Sequence, residues 1–343
     1  MKKHNVLAHS AVLAACVVCL LFGGCGSPKP FTLVVLPDTQ NYADTRLGHA
    51  DRRWGNGDLR DSFYQQTDWI RENRARLNIQ MVAHVGDIVQ TDYRGEWEIA
   101  NQAFQTLDGE VPYILCLGNH DMGYEPHPTG TGKSARSRET SFNEYFGRTR
   151  FERHRWYGGH MGTGNENSYC LFKAGGMKFL IISLEFKPRD EVLAWASEIV
   201  SQYRDRRCIV LTHSYLRGNE RIARDNYAVQ GNTGHQMWEK FVREHENIFM
   251  VLCGHTNVGR LTSQARHGNQ VHQVLSDYQG WHNGGDGYLR IMTFVPAEDR
   301  IEVRTFSPVL GEYERTDQNE FVLPYRMRGS RAWRAVNSHA VSR

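Results

Sequence analysis

Five apolar, strand-like runs in this chain stop at polar clusters, and all five clusters are drawn from side chains that bind divalent cations. Residues 33–37 run into Asp38-Thr39-Gln40, and residues 81–85 into Gly86-Asp87. Residues 114–117 run into Gly118-Asn119-His120-Asp121, residues 209–212 into His213-Ser214, and residues 249–253 into Gly254-His255-Thr256-Asn257. The carboxyl ends of strands in an α/β sheet are where ligands bind. Carboxylates, amide oxygens and imidazoles suit Mn, Fe or Zn, and an oxygen-rich set suits Mg. Glycine ahead of a ligand lets the backbone turn sharply as it leaves the strand.

Helical periodicity separates these runs. Phe63, Ile70 and Leu77 make a stripe over residues 61–77, a second helix is predicted over 95–107, and Val192, Trp195, Ile199 and Tyr203 make a stripe over 191–203. Residues 167–172 and 177–184 read as a hairpin turned at Gly175-Gly176, and residues 236–245 as a helix. The polar stretch 122–165 carries a short helix near 141–146, and from 258 to 306 the pattern is mostly β. Strands alternating with helices, followed by more strands, predict one α/β domain with two facing sheets.

Of the 343 residues, 40% are hydrophobic and 23% charged, which excludes a disordered chain, a collagen-like repeat and a multi-span membrane protein. The net charge of +3 comes from the ends. Without Lys2, Lys3 and the five arginines of residues 326–343, the body has 34 basic against 38 acidic residues, so no nucleic-acid signal is present. Met1-Lys2-Lys3-His4 followed by the apolar run 10–22 reads as a signal peptide, too short for a comfortable membrane span. The run ends Leu21-Phe22-Gly23-Gly24-Cys25, similar to a bacterial lipobox with Phe22 where Leu is usual. The expected organisation is a lipoprotein-type signal peptide over 1–25, a domain over 26–325 and a basic tail over 326–343. Lipidation of Cys25 would make the protein exported and anchored in the cell envelope, facing away from the cytoplasm. Ordinary secretory cleavage near Gly24 or Gly26 is the alternative. Cys116, Cys170, Cys208 and Cys253 each sit in an apolar run and read as buried hydrophobes; a disulfide between neighbouring strands is the alternative.

The ordered set of strand-end clusters resembles the calcineurin-like metallophosphoesterase superfamily, whose pattern is D-x-H, G-D, G-N-H-[DE], a lone His, then G-H-x-H. Residues 36–42 (Leu-Pro-Asp-Thr-Gln-Asn-Tyr), Trp156-Tyr157-Gly158-Gly159 and Asp277-Tyr278-Gln279 extend the resemblance to a bacterial secreted branch. It implies a four-layer α/β/β/α sandwich of two facing sheets with two divalent metal ions at the strand ends. By position, one ion would take Asp38, Gln40, Asp87 and Asn257, and the other Asp87, Asn119, His213 and His255, with Asp87 bridging. Gln40 and Asn257 stand where the family has His. Both changes replace nitrogen by a neutral amide oxygen at one ion, which favours Mn or Mg there and leaves Fe, Zn or Mn at the other.

The function this resemblance implies is hydrolysis of phosphomonoesters or phosphodiesters by a hydroxide that two metal ions activate. His120 would protonate the leaving oxygen. Gln90 stands where related phosphatases carry an Asp that orients this histidine, so Asp121 and Asp92 are the candidates for that role. Arg136 and Arg138 are candidates for holding phosphate, and Tyr278 and Gln279 for lining the pocket of a small phosphorylated substrate. Gly130-Thr131-Gly132-Lys133-Ser134 mimics a phosphate loop but lacks the first Gly and the preceding strand, so a solvated loop is expected. His267 and His272 read as structural or surface residues. The competing reading is a lipoprotein that binds a phosphorylated ligand or glycan at a degenerate centre without turning it over.

Overall fold

Along Phe31–Leu36 every residue is buried, and alternate side chains serve different cores. Leu33 and Val35 join an apolar cluster with Met81, Ala83, Phe179, Ile209 and Leu252, whereas Val34 and Leu36 join Phe63, Ile70, Trp97 and Phe104. A strand buried on both faces belongs inside a layered α/β fold. The computed structural model, which describes residues 28–44, 58–127 and 130–328, has two such sheets.

The first sheet runs in the order Glu312–Glu314, Arg300–Ser307, Leu289–Val295, Phe31–Leu36, Ile79–His84 and Tyr113–Leu115, with Phe321–Pro324 also paired to Arg300–Ser307. The second runs Val258–Gln264, Gln270–Ser276, Ile248–Cys253, Arg207–Leu211, Met177–Ser183, Ser168–Ala174 and Tyr157–His160. Helices Arg60–Asn73 and Arg94–Gln105 cover the outer face of the first sheet with Phe63, Ile70, Trp97 and Phe104. Asp190–Gln202 and Gly234–Lys240 cover the second with Val192, Ala196, Met237 and Trp238. The expected α/β/β/α sandwich is present.

Parallel pairing is what gathers the polar clusters. Phe31–Leu36, Ile79–His84 and Tyr113–Leu115 run parallel in one sheet. Met177–Ser183, Arg207–Leu211, Ile248–Cys253 and Gln270–Ser276 run parallel in the other. Their carboxyl ends therefore lie along one rim.

Four local expectations change. The helix expected over 236–245 ends at Lys240, because Phe241 leaves the helical region (φ −135°, ψ −64°), and Val242–Glu244 continues as a 3-10 turn. In Asp190–Gln202 the sheet-facing residues are Val192, Leu193, Ala196 and Val200, and Trp195, Ile199 and Tyr203 flank them half-buried; Ala196 lets the helix approach closely. Gly130–Lys133 is no open loop but a strand paired with Glu125–His127. The basic tail starts later than Arg326, since Met327 is buried and its N–H donates to Asp299 Oδ1 at 2.6 Å. The expected signal peptide, Cys25 and the rest of the expected tail lie outside the described residues. Cys116, Cys170, Cys208 and Cys253 are buried and free. Among the described residues, no helix is long and apolar enough to cross a membrane.

Candidate metal centre

Two of the strands, Ile79–His84 and Ile248–Cys253, turn into the rim through backbone that ordinary residues avoid. Asp87 (φ 51°), His255 (φ 86°) and Asn257 (φ 65°) are all left-handed. Such conformations cost of order 1–3 kcal/mol and persist where the surroundings over-determine them. Two glycines make room for carboxylates from other strands. A Cβ on Gly118 would lie 2.1 Å from Asp87 Oδ1, and one on Gly254 would lie 2.1 Å from Asp38 Oδ1.

His213 is anchored from behind. Its Nδ1 donates to the Val85 carbonyl at 2.7 Å, which leaves Nε2 facing Asp87 Oδ2 at 3.2 Å and Asn119 Oδ1 at 3.2 Å. Ser134 hydrogen-bonds the Asn119 amide nitrogen at 3.0 Å and so turns the amide oxygen toward His213. Three acceptors thus converge, an arrangement that asks for a cation. Burial acts against a charged His213, but the Asp87 carboxylate outweighs it and raises its pKa above the usual value, so the site attracts positive charge. One ligand atom each from Asp87, His213 and His255 lie within 4.8 Å of one another. Burial, with His213 nearby, pushes His255 down to about 3, so its imidazole is a neutral donor. Tyr227 Oη lies 3.3 Å from His255 Nε2. These residues fit a divalent ion.

On the other side of Asp87 the donors are oxygens and amides. Asp38 and Gln40 are each 1% exposed, and Asp38 Oδ1 and Gln40 Oε1 have no hydrogen-bond partner. Asp38 Oδ2 accepts the His255 N–H at 2.9 Å and Gln279 Nε2 at 3.2 Å. Gln40 Nε2 donates to Asp87 Oδ2 at 3.3 Å and to Gln279 Oε1. Burial, then the charges of Asp277 and Asp87, hold the Asp38 carboxyl well above the ordinary carboxylate range. Asp87 moves the other way: burial opposes its charge, but His213, His120 and His255 bring its pKa below normal. Asp87 thereby joins both halves, with Oδ1 taking the His120 N–H at 2.8 Å and Oδ2 facing His213 and Gln40.

The structure brings Asp38, Gln40, Asp87, Asn119, His213 and His255 together. Asn257 is held differently: its side chain is exposed, its Oδ1 accepts from Trp281 Nε1 at 3.4 Å, and its N–H donates to Asp277 Oδ2 at 2.8 Å. His120 is half-buried at the rim, with Nδ1 2.8 Å from the Gln90 carbonyl oxygen. Neither candidate carboxylate orients it. Asp121 accepts the N–H groups of Val89 (2.9 Å) and Gly118 (2.7 Å), and Asp92 accepts Trp97 Nε1 (2.7 Å) and Ser141 N (2.9 Å). A main-chain carbonyl takes that role, which side-chain identity at position 90 cannot reveal.

Arg136 and Arg138 are already engaged, Arg136 with Glu125 and Arg138 with Glu185 and the carbonyls of Phe186, Lys187 and Gln230. Tyr278 is buried away from the centre, with its hydroxyl near Thr305 and Arg290, whereas Gln279 reaches into it. His272 is structural, placed between Thr262 Oγ1 and the Pro324 carbonyl. Sequence reading missed Ser134, Tyr227 and Asp277 as parts of the site. Only Asp277 had a signal, since it too follows a parallel strand, Gln270–Ser276. A cavity of about 340 Å³ lies between Leu117, Met122, Arg138, Gly164, Glu185 and Arg189, on either side of the Gly118–Asp121 turn. A cavity of about 520 Å³ between Pro28, Met177, Arg207 and Met327 is at the opposite end of the strands and contains no metal-ligand set.

A two-sheet sandwich with a carboxylate shared between an imidazole set and an oxygen set at the strand ends defines the metallophosphoesterase class. The chain belongs to the calcineurin-like phosphoesterase family, whose model matches residues 32–259. It is 32% identical over 304 residues to the uncharacterized protein YvnB of Bacillus subtilis (strain 168), a match covering 85% of this chain and 21% of that protein. The chain therefore spans about a fifth of that relative's length. Among solved structures, purple acid phosphatase PPD1 from yellow lupin (Lupinus luteus) seeds has the same fold, with a TM-score of 0.52 and 13% identity, over 87% of this chain and 54% of that one.

Proposed function

We propose that this chain is a metal-dependent phosphoesterase that hydrolyses a small phosphorylated substrate at the rim around Asp87. The observation that carries the reading is the convergence of Asn119 Oδ1 and Asp87 Oδ2 on His213 Nε2, each at 3.2 Å from it, with the three groups held by Ser134, the His120 N–H and the Val85 carbonyl. Asp87, Asn119, His213 and His255 would hold one ion, and Asp38, Gln40 and Asp87 a second. Bound divalent ions supply Lewis acidity toward the phosphoryl group and lower the pKa of water. The chain's own residues do the rest. Asp87 fixes the two halves relative to each other, and His120 presents its outer nitrogen to the leaving oxygen while Gln90 holds the inner one.

The test is hydrolysis of a chromogenic phosphodiester and a phosphomonoester with Mn(II) added, for the wild type and Asp87→Asn. We expect metal-dependent turnover that falls at least a hundredfold in the variant. Equal rates overturn the enzyme reading. Binding of a phosphorylated ligand without turnover supports the alternative of a degenerate binding centre, which the hydrogen bond from Gln40 to Asp87 favours.

The proposed location is the outer side of a bacterial membrane, with Cys25 acylated. The first described residues, from Pro28, enter the amino end of Phe31–Leu36, and six residues of strand span about 20 Å. An anchor there would turn the metal centre away from the lipid. Cys25→Ser is expected to move the protein from the membrane fraction to the soluble one, and a wild type already soluble after export refutes the anchor.

A further inference from the structure

The oxygen side of the centre lacks the donor that the sequence pattern assigns to Asn257, and another residue stands in its place. Gln279 leaves the end of Gln270–Ser276, and its amide lies among Asp38, Gln40 and Asp277: Nε2 is 3.2 Å from Asp38 Oδ2 and 3.1 Å from Asp277 Oδ2, and Oε1 meets Gln40 Nε2. Asp277, 2% exposed, fixes this arrangement by accepting the N–H groups of Gln279 (2.8 Å) and Asn257 (2.8 Å). Asp38, Asp87 and Asp277 therefore crowd three buried carboxylates into one corner. Within it, Asp38 Oδ1 and Gln40 Oε1 are buried oxygens with no partner. Buried polar atoms are paired in nearly all native structures, so two orphaned acceptors beside excess negative charge indicate a missing cation. Every donor facing this corner from Asp38, Gln40, Asp87 and Gln279 is a carboxylate or an amide. Such a set selects hard ions, Mg or Mn, over Zn.

We propose that Gln279, positioned by Asp277, is the ligand that completes an all-oxygen divalent-cation site with Asp38, Gln40 and Asp87. This rests on the metal-dependent reading and deepens it. An amide can offer either end at nearly constant shape, so Gln279 and Gln40 hydrogen-bond the carboxylates when the ion is absent and turn oxygen toward it when it is bound. The centre is then asymmetric, with one ion on imidazole nitrogen and one on oxygen alone.

The test uses Mn(II) alone, with binding followed by calorimetry and by electron paramagnetic resonance, which reports spin coupling between two nearby Mn ions. Wild type is expected to bind two ions with a coupled signal. Gln279→Ala should keep one and weaken the other by about 10–100-fold, the range seen when metal-site support is removed. Gln279→Glu, which restores an oxygen donor, should recover the coupled signal even if the alanine variant is poorly folded. Asn257→Ala should change neither affinity by more than about threefold. Equal loss in Gln279→Ala and Gln279→Glu, or a larger loss in Asn257→Ala, overturns the assignment. So does a wild type that binds a single ion. Phosphodiester turnover by a one-ion protein would refute this site and leave the phosphoesterase reading intact; two coupled ions without turnover would do the reverse.

Discussion

His120 shows how one side chain is given a role by main chain rather than by a partner residue. Its N–H goes to Asp87 Oδ1, its Nδ1 to the Gln90 carbonyl, and its outer nitrogen is left at the rim. A general acid contributes about 10²–10⁴-fold, more for a poor leaving group than a good one. His120→Asn is expected to cost most of that range in kcat with an alkyl phosphoester and much less with a nitrophenyl ester, with bound Mn unchanged. The same loss for both substrates would remove the acid role. Gly118 makes the complementary point about space. Gly118→Ala drives a methyl into Asp87 Oδ1 and is expected to cost about 1–3 kcal/mol of stability, the usual penalty of overpacking. Its ion affinity should fall as well, read by urea unfolding and Mn titration; wild-type affinity would show that the turn adapts.

At the scale of elements, the rim depends on the two sheets staying in register, and the apolar layer between them does that. Phe179 of Met177–Ser183 is fully buried and meets the rings of Phe31, Phe172, Phe249 and Phe294, which come from both sheets. Phe179→Ala is expected to destabilise the fold by about 3–5 kcal/mol through lost burial and the cavity left behind. A loss under about 1 kcal/mol in urea unfolding would mean that the layer collapses to fill the space. The helix Gly234–Lys240 is set by a capping box, in which Thr233 Oγ1 accepts the Gln236 N–H and Gln236 Oε1 accepts the Thr233 N–H. Thr233→Ala should cost about 1 kcal/mol, and an unchanged midpoint would mean that packing of Met237 and Trp238 alone holds the helix.

Across the whole molecule, buried neutral histidines tie stability to pH. Burial holds His84 down to about 3 and keeps His272 below its ordinary value. In the unfolded chain both take up a proton below about pH 6.5, and the folded chain does not follow until a lower pH. The unfolded state then binds more protons, so stability is full above pH 6.5 and falls as pH drops below it, by at most about 1.4 kcal/mol per pH unit for each group. For His84 the fall continues toward pH 3. His272→Gln keeps a hydrogen-bonding side chain and removes one titration, so the loss just below pH 6.5 should become shallower in urea unfolding while the His84 contribution remains; an unchanged slope would show that other groups set it.

By itself, the sequence determined the layers and the side-chain types that end the strands. Apolar runs that end in Asp38, Asp87, Asn119, His213 and His255 carry period and polarity in consecutive residues, so strands, helices and the chemistry at their ends are legible without coordinates. Met327, beyond the expected start of the tail, takes a core position that no local pattern announces. Tertiary structure alone decided which groups meet. Gln279 lies 239 positions after Gln40, Ser134 reaches Asn119 from a separate hairpin, and the partner of His120 is a carbonyl that every residue type has. The left-handed turns at Asp87, His255 and Asn257 decided it too, because side-chain direction at the end of a strand follows from the φ value of the turn. Periodicity is a property of neighbours along the chain, whereas convergence of polar groups at one rim is a property of strand ends brought side by side by parallel pairing, and only the folded chain contains it.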